Sequence, residues 1–310
     1  FTCEIQFFFL CLHFVKILMS QFEQYLVSLD KYNVIKKIAE GSFASMLLIE
    51  DKEAHKQCVA KIFKSVSNDK EHILEMVEIM AQLHHSTLVK LVGYSPIDFN
   101  GCENLTIITE YASNGSLSEL IKQNTLNNTQ RQIILIGICD GVRFLHQQNY
   151  IHRDIKPSNI IIDENFHPQI NDYFDIIKYT PGVLLDQSVG TKDYMAPEVF
   201  NDDGYGPQAD VYSFAIVMLQ IVTSNLQIYN FKEFHGLYHF LKCVSQGKRP
   251  EFTVPVKQTI KTLIEKCWSA KPSDRMTFDQ LFQTLAYDPE YYLDDVDANA
   301  VKEYAGSLRK

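Results

Sequence analysis

One stretch of this chain collects the side chains needed to move a proton beside a metal ion. Within His152-Arg153-Asp154-Ile155-Lys156-Pro157-Ser158-Asn159 stand a carboxylate able to act as a base, a cation two residues on, and an amide able to ligate a metal. Asp172, thirteen residues beyond Asn159, adds a carboxylate where a second ligand would be needed to hold Mg²⁺ on a nucleoside triphosphate. The chemistry that suits this set is phosphoryl transfer. It asks a protein mainly to position two oxygens and neutralise charge, with little covalent work.

The elements that must hold these residues can be read from patterning. The chain has 310 residues, 46% of them apolar, enough for a substantial core. From Asn33 onward the pattern is of short strands: Val34-Ile35 and Met46-Leu47-Leu48-Ile49 flank a Gly/Ser turn, and Gln57–Phe63 follows. Residues 70–83 predict a helix with Ile73, Leu74, Val77, Met80 and Leu83 on its apolar side. Leu88–Val92 and Leu105–Thr109 would complete a five-stranded sheet, and Ser116–Ile121 begins helical character. The second half predicts helices over Thr129–Gln147, Ala209–Val222, Phe231–Ser245, Val256–Trp268 and Thr277–Tyr287. The fold class is therefore α+β, with a small β lobe carrying one helix and a larger, mostly α-helical lobe.

The His152–Asn159 run with Asp172 resembles the catalytic and metal-binding segments of eukaryotic protein kinases. Three further segments resemble that family's anchors. Gly190–Glu198 is similar to the end of its activation loop, Arg275 to the buried partner of Glu198, and Asp210 to the residue that caps the catalytic loop. The resemblance runs from about Tyr32 to Leu285. It implies a two-lobed kinase fold using ATP and Mg²⁺, with Asp154 as base, Lys156 beside the migrating phosphate, and Asn159 and Asp172 on the metal. In the small lobe it implies phosphate contacts from Gly41, Ser42 and Phe43 and from Lys61, twenty residues after Gly41. Thr109-Glu110-Tyr111-Ala112 would form the hinge, with Thr109 as gatekeeper and Met46, Val59, Ala112 and Ile161 around the adenine. Lys156 with Thr191 resembles Ser/Thr-directed kinases, and the Asp210–Phe214 run with Cys267-Trp268 resembles the tyrosine-kinase-like group.

Three positions depart from the family pattern. The glycine-rich loop reads Ala39-Glu40-Gly41-Ser42-Phe43-Ala44, with one glycine where the family has three. Added methyl groups limit positive φ and hold backbone N–H groups away from phosphate, so nucleotide affinity should fall. The helix glutamate expected to pair with Lys61 falls on Met76, and Glu75 lies about 100° around the helix from it. The Asp-Phe-Gly segment reads Asp172-Tyr173-Phe174; Asp172 could still bind metal, but a bulky residue at the glycine position is costly at positive φ, so switching between loop states would be restricted. Tyr179, Thr180 and Ser188 are candidate phosphorylation sites for an upstream kinase, with Arg153 as their charge partner.

Two functions fit. One is a Ser/Thr kinase acting on protein substrates in signalling; the other is a pseudokinase that binds nucleotide or partners and signals by conformation. Net charge is −9, which argues against nucleic acid or an anionic membrane as partner. The seven cysteines are scattered without metal spacing, as in a reduced cytoplasmic protein. Residues 1–18 are apolar but interrupted by His13 and Lys16, and shorter than the ~20 residues a spanning helix needs. They read as sequence upstream of an initiator at Met19, or as a buried extension. The expected organisation is then 19–31 as an N-terminal segment, 32–286 as the kinase domain (lobes 32–112 and 113–286), and 287–310 as a tail.

Overall fold

The computed structural model describes residues 22–41, 43–64, 70–201 and 204–309. The expectations for residues 1–18 and for Ser42 lie outside them. The chain divides into two compact units: one ends at Tyr111, and the other begins at Ala112 and also includes His85–Leu88.

The first unit is built on strands β1 (Tyr32–Glu40), β2 (Ala44–Asp51), β3 (Gln57–Phe63), β4 (Leu91–Ser95) and β5 (Thr106–Glu110), with helix α1 (Lys70–Gln82) between β3 and β4. They pair antiparallel in the order β1-β2-β3-β5-β4. Because strand side chains alternate between faces, the register decides what lies where. Met46 sits opposite Lys61, and Val59 opposite both Leu48 and Thr109. These residues share one face. The other face buries Ile49, Cys58, Ala60 and Ile108 against Leu29 and Tyr32. Gly93 in β4 is required by packing, since a Cβ there would meet Val27 Cγ1 at 2.5 Å and the Tyr25 carbonyl at 2.9 Å.

The fourth strand was expected at Leu88–Val92 but begins at Leu91. The reason is a competing partner. The Thr87 carbonyl accepts from the Ile170 N–H at 2.8 Å, and Leu88 forms a bridge with Ile170, so 85–88 joins the second unit.

That unit contains α2 (Leu117–Gln123), α3 (Asn128–Gln147), β6 (Tyr150–Ile151), β7 (Ile160–Ile162), β8 (Pro168–Ile170), β9 (Ile177–Lys178), α4 (Pro197–Phe200), α5 (Gln208–Thr223), α6 (Leu237–Ser245), α7 (Gln258–Cys267), α8 (Phe278–Tyr287) and α9 (Ala298–Ser307). Reciprocal capping boxes start three of them: Ser116 with Glu119, Asn127 with Gln130, and Thr277 with Gln280. Helix α5 is buried along its whole length from Ala209 to Ile221 and forms the centre of this unit. The helix expected over Phe231–Ser245 is broken, because Gly236 takes φ 85° ahead of α6. The aromatic residues before it, Phe231 and Phe234, close on Tyr229 and Phe240 instead of continuing a helix. The five cysteines among the described residues are free thiols. No helix among the described residues is long and apolar enough to cross a membrane.

Arg275 locks the far end of this unit. Its guanidinium donates to Glu198 Oε1 at 2.5 Å and Oε2 at 2.8 Å, with the arginine side chain 0% exposed. Breaking a buried pair leaves an uncompensated charge, so Arg275→Met should lower the unfolding free energy by about 3–5 kcal/mol. Urea denaturation would show this; a loss below about 1 kcal/mol would mean that Glu198 reaches water.

Candidate active site

The loop carrying Asp154 is held from below before it does anything. Asp210, in the first turn of α5 and fully buried, accepts the His152 N–H through Oδ2 and the Arg153 N–H through Oδ1, both at 2.9 Å. His146 Nε2 lies 2.8 Å from Oδ2. Burial would raise the Asp210 carboxyl, but the bond to His146 and the neighbouring histidines outweigh it and hold the group below its ordinary range. Arg153 takes a left-handed φ of 69°, an uncommon conformation for a non-glycine residue that Asp210 helps to pin. Facing it, Gly190 has φ 118°, and a Cβ there would meet the Arg153 carbonyl oxygen at 2.5 Å.

Asp154 then sits at the centre of a closed hydrogen-bond network. Lys156 Nζ donates to Oδ2 at 2.6 Å and to Thr191 Oγ1 at 2.7 Å. The Thr191 hydroxyl in turn donates to Asp154 Oδ1 at 2.7 Å, and its backbone N–H to the same oxygen at 3.0 Å. Asn159 Nδ2 donates to the Asp154 carbonyl at 2.9 Å and to Oδ2 at 2.8 Å. Burial pushes the Asp154 carboxyl up, but the hydrogen bonds from Lys156 and Thr191 overcome it and leave the pKa below the usual value. The group is thus an ionised carboxylate whose position is fixed by donors on several sides. With both amide protons of Asn159 committed to Asp154, the Asn159 side-chain oxygen is its remaining acceptor.

Asp172 follows the β7–β8 hairpin and is tied to Asn159, because the Asn171 N–H donates to the Asn159 carbonyl at 2.8 Å. Phe174 does not take positive φ in this loop state. The left-handed residue is Asp172 itself, at φ 64°, and Phe174 lies in a 3₁₀ turn spanning Tyr173–Asp175. Tyr173 is buried in the core, and burial pushes its phenol well up. Arg153 is already engaged: Nε donates to the Asp175 carbonyl at 2.5 Å, with Gln187 and Tyr205 each 3.5 Å from Nη1. Thr180 and Ser188 are exposed, and Tyr179 is half-buried.

The residues expected around a nucleotide divide between the units. On the first, Met46, Val59, Lys61 and Thr109 share one sheet face, and Lys61 Nζ lies 5.2 Å from the centroid of the Phe63 ring. Glu110, at the end of β5, pairs with Lys56 at 2.7 Å. On the second, Ala112 is buried and Ile161 half-buried, and Asp154, Asn159 and Asp172 belong to the same unit. Met76 is buried at 3% exposure, as its helical position implies. Glu75 is turned outward, 66% exposed, with His72 Nδ1 at 3.5 Å.

The glycine turn holds residues that the motif did not disclose. The Gly41 N–H donates to the Ala44 carbonyl at 2.8 Å, and Phe43 is 71% exposed. Lys64 spans the turn: its Nζ donates to the Gly41 carbonyl at 2.7 Å, its N–H donates to the Phe43 carbonyl at 2.9 Å, and it pairs with Glu40. Hydrogen bonds from Lys37, Lys64 and Ser45 pull the Glu40 carboxyl down to about 2. A lysine just beyond a strand carries no sequence signal for such a contact.

Residues 32–285 match the protein kinase domain family. The chain belongs to that family. This kinase domain is 27% identical over 268 residues to the serine/threonine-protein kinase STY17 of Arabidopsis thaliana, covering 85% of this chain and 45% of that one. It is 32% identical over 211 residues to the RGS domain-containing serine/threonine-protein kinase A of Dictyostelium discoideum, covering 67% of this chain and 18% of that one. Identity to the cytoplasmic tyrosine-protein kinase BMX of Homo sapiens is 30% over 264 residues, covering 83% and 37%. The chain thus spans less than half the length of these relatives.

The depressed pKa of Asp154 has a consequence for stability. A carboxyl whose folded pKa lies below its ordinary 3.8 stabilises the fold above that pH, and the contribution is lost as pH falls through the folded value. Urea midpoints of the parent should therefore drop more steeply than those of Asp154→Asn from about pH 5 downward. Parallel curves would mean that the network does not favour the ionised form.

Proposed function

We propose that this kinase domain transfers the γ-phosphate of Mg·ATP to serine or threonine hydroxyls of protein substrates, in a cytoplasmic signalling role. The observation that carries this reading is the closed network of Asp154, Lys156, Asn159 and Thr191. It holds an ionised, oriented carboxylate, the group a general base needs, on which an incoming hydroxyl would take the place of one of the present donors. Asp154 would accept the hydroxyl proton as the oxygen attacks. Lys156, shared between Asp154 and Thr191, would swing its charge toward the transferring group. Because one lysine links base and threonine, proton acceptance and charge neutralisation are coupled within a single hydrogen-bonded unit.

Asn159 and Asp172 suit a hard cation. Both offer oxygen, and Mg²⁺ is commonly held by one or two protein carboxylates together with substrate phosphates. Bound there, the ion would neutralise the phosphate oxygens. Gly41, Phe43 and Lys61 would contact the phosphates, while Met46, Val59, Thr109, Glu110, Ala112 and Ile161 would receive the adenine. The Lys156–Thr191 bond supports serine/threonine preference, as do the names of two of the three relatives above. The scattered free thiols support a reducing, cytoplasmic setting. An upstream kinase could reach the exposed Thr180 and Ser188.

A pseudokinase is the second reading. It is favoured by the burial of Met76 where a glutamate is expected, and by a glycine turn whose N–H is engaged within the turn.

The deciding assay follows γ-phosphate transfer from Mg·ATP to the chain itself and to a generic protein, for the parent and Asp154→Asn. Transfer by the parent, abolished in Asp154→Asn and landing on serine or threonine, is the expected result. Equal background signals would leave the pseudokinase. If the absent helix carboxylate limits the rate, Met76→Glu should raise transfer on the order of tenfold, about 1.4 kcal/mol of barrier. No gain in a folded Met76→Glu variant would show that Lys61 is already held adequately.

A further inference from the structure

We propose that Tyr304, in helix α9 beyond the region matched to the kinase family, is a positioning residue for the proposed metal ligands Asn159 and Asp172. For its catalytic consequence this inference rests on the kinase reading above. The matched region ends at residue 285, yet the chain does not leave the domain there. Gln132, fully buried in α3, donates to the Leu285 carbonyl at 2.9 Å and accepts the Leu293 N–H at 3.1 Å. Asn128 donates to the Asp294 carbonyl at 2.8 Å, and the Asp297 N–H donates to the Thr129 hydroxyl at 2.9 Å. These bonds lay α9 along α3 and bury Val301, Tyr304, Ala305 and Leu308.

Tyr304 is the residue that reaches the site's support. Its ring stacks on His167, with centroids 4.4 Å apart and planes at 25°. Its hydroxyl lies so close to Gly137 that a Cβ there would meet it at 2.3 Å, and the same Cβ would meet Pro168 Cγ at 2.5 Å. Among the described residues that hydroxyl has no hydrogen-bond partner, so the ring and its fit, not the hydroxyl, account for the side chain's place. Tyr304 is thus wedged among α3, His167 and Pro168.

His167 and Pro168 form the closed end of the β7–β8 hairpin, whose strands pair Ile162 with Pro168 and Ile160 with Ile170. The open end of the same hairpin carries the chemistry. Asn159 immediately precedes β7, Asp172 lies two residues beyond β8, and the Asn171 N–H donates to the Asn159 carbonyl at 2.8 Å. A hairpin of three residue pairs is short enough to act as a rigid lever. Pro168 packs on α3 directly at Gly137, and Tyr304, against the same glycine and stacked on His167, completes that seat and so helps set where the two oxygen ligands stand.

The test compares the 310-residue parent, Tyr304→Ala and Tyr304→Phe by amide hydrogen exchange and by steady-state kinetics. In Tyr304→Ala, the β7–β8 amides and that of Asn171 should exchange faster while those of α5 are unchanged. Its kcat should fall by about ten- to a hundredfold, the scale of a misplacement near 1 Å. The Mg²⁺ concentration for half-maximal transfer should rise, and KM for the protein substrate should stay at the parent value. Tyr304→Phe, which keeps the ring, should match the parent throughout. Parent-like exchange in the hairpin of Tyr304→Ala, or faster exchange spreading to α5, would overturn the proposal, as would a parent-like kcat. If the parent itself transfers no phosphate, the kinase reading falls, while the exchange comparison still decides whether Tyr304 holds the hairpin.

Discussion

A single buried carboxylate, Asp210, supports everything that the second unit offers chemically. Two backbone N–H groups of the catalytic loop and the ring of His146 converge on it. Its place in the first turn of α5 adds the favourable field of a helix N-terminus. Without that acceptor, the His152 and Arg153 amides would be buried donors, each costing about 1–3 kcal/mol if unsatisfied. The left-handed backbone at Arg153 would also lose one of its constraints. Asp154 inherits its orientation from this arrangement. The orientation of the Asp154 carboxylate is thus set by a second carboxylate buried beneath its loop.

The same logic of indirect support runs outward from Asp154. Lys156, Asn159 and Thr191 each donate to it, so the carboxylate is ionised and immobile at once. Thr191 belongs to the segment opened by Gly190, whose lack of a side chain permits close approach to the Arg153 carbonyl. A larger residue there would push the threonine donor away. Glu198 and Arg275 then anchor the following turn in the core. Local chemistry and long-range packing are in this way parts of one chain of contacts.

The departures from the family pattern do not all have the same weight once the backbone is known. Phe174 is accommodated because positive φ falls on Asp172, so a bulky side chain in the turn meets no steric penalty. The alanines of the glycine turn coexist with a lysine clasp from Lys64 to the Gly41 carbonyl and Glu40, which steadies the turn from outside. Met76 is different. Its side chain is buried, while Glu75, one residue away, is turned to solvent by helical geometry.

What the sequence determined by itself was the identity of the chemical groups and the class of fold. Asp154, Lys156 and Asn159 stand in one run, with Asp172 thirteen residues beyond, and the sheet strands and α3, α5 and α8 follow from apolar periodicity. Periodicity is local, so it registers what each segment buries but not against which partner. That is why β4 was displaced by three residues: Leu88 is apolar enough for the sheet yet pairs with Ile170. It is also why the break at Gly236 was missed, where a cluster of aromatic side chains replaces helix. Lys64 and Tyr304 left no mark in any motif, since an ordinary lysine and a tyrosine gain their roles only from what folding brings within 3 Å or stacks beneath them. The sequence supplied the candidate reacting groups; the tertiary structure decided how firmly Asp154 is held, because Thr191 and Asp210, distant along the chain, complete the hold.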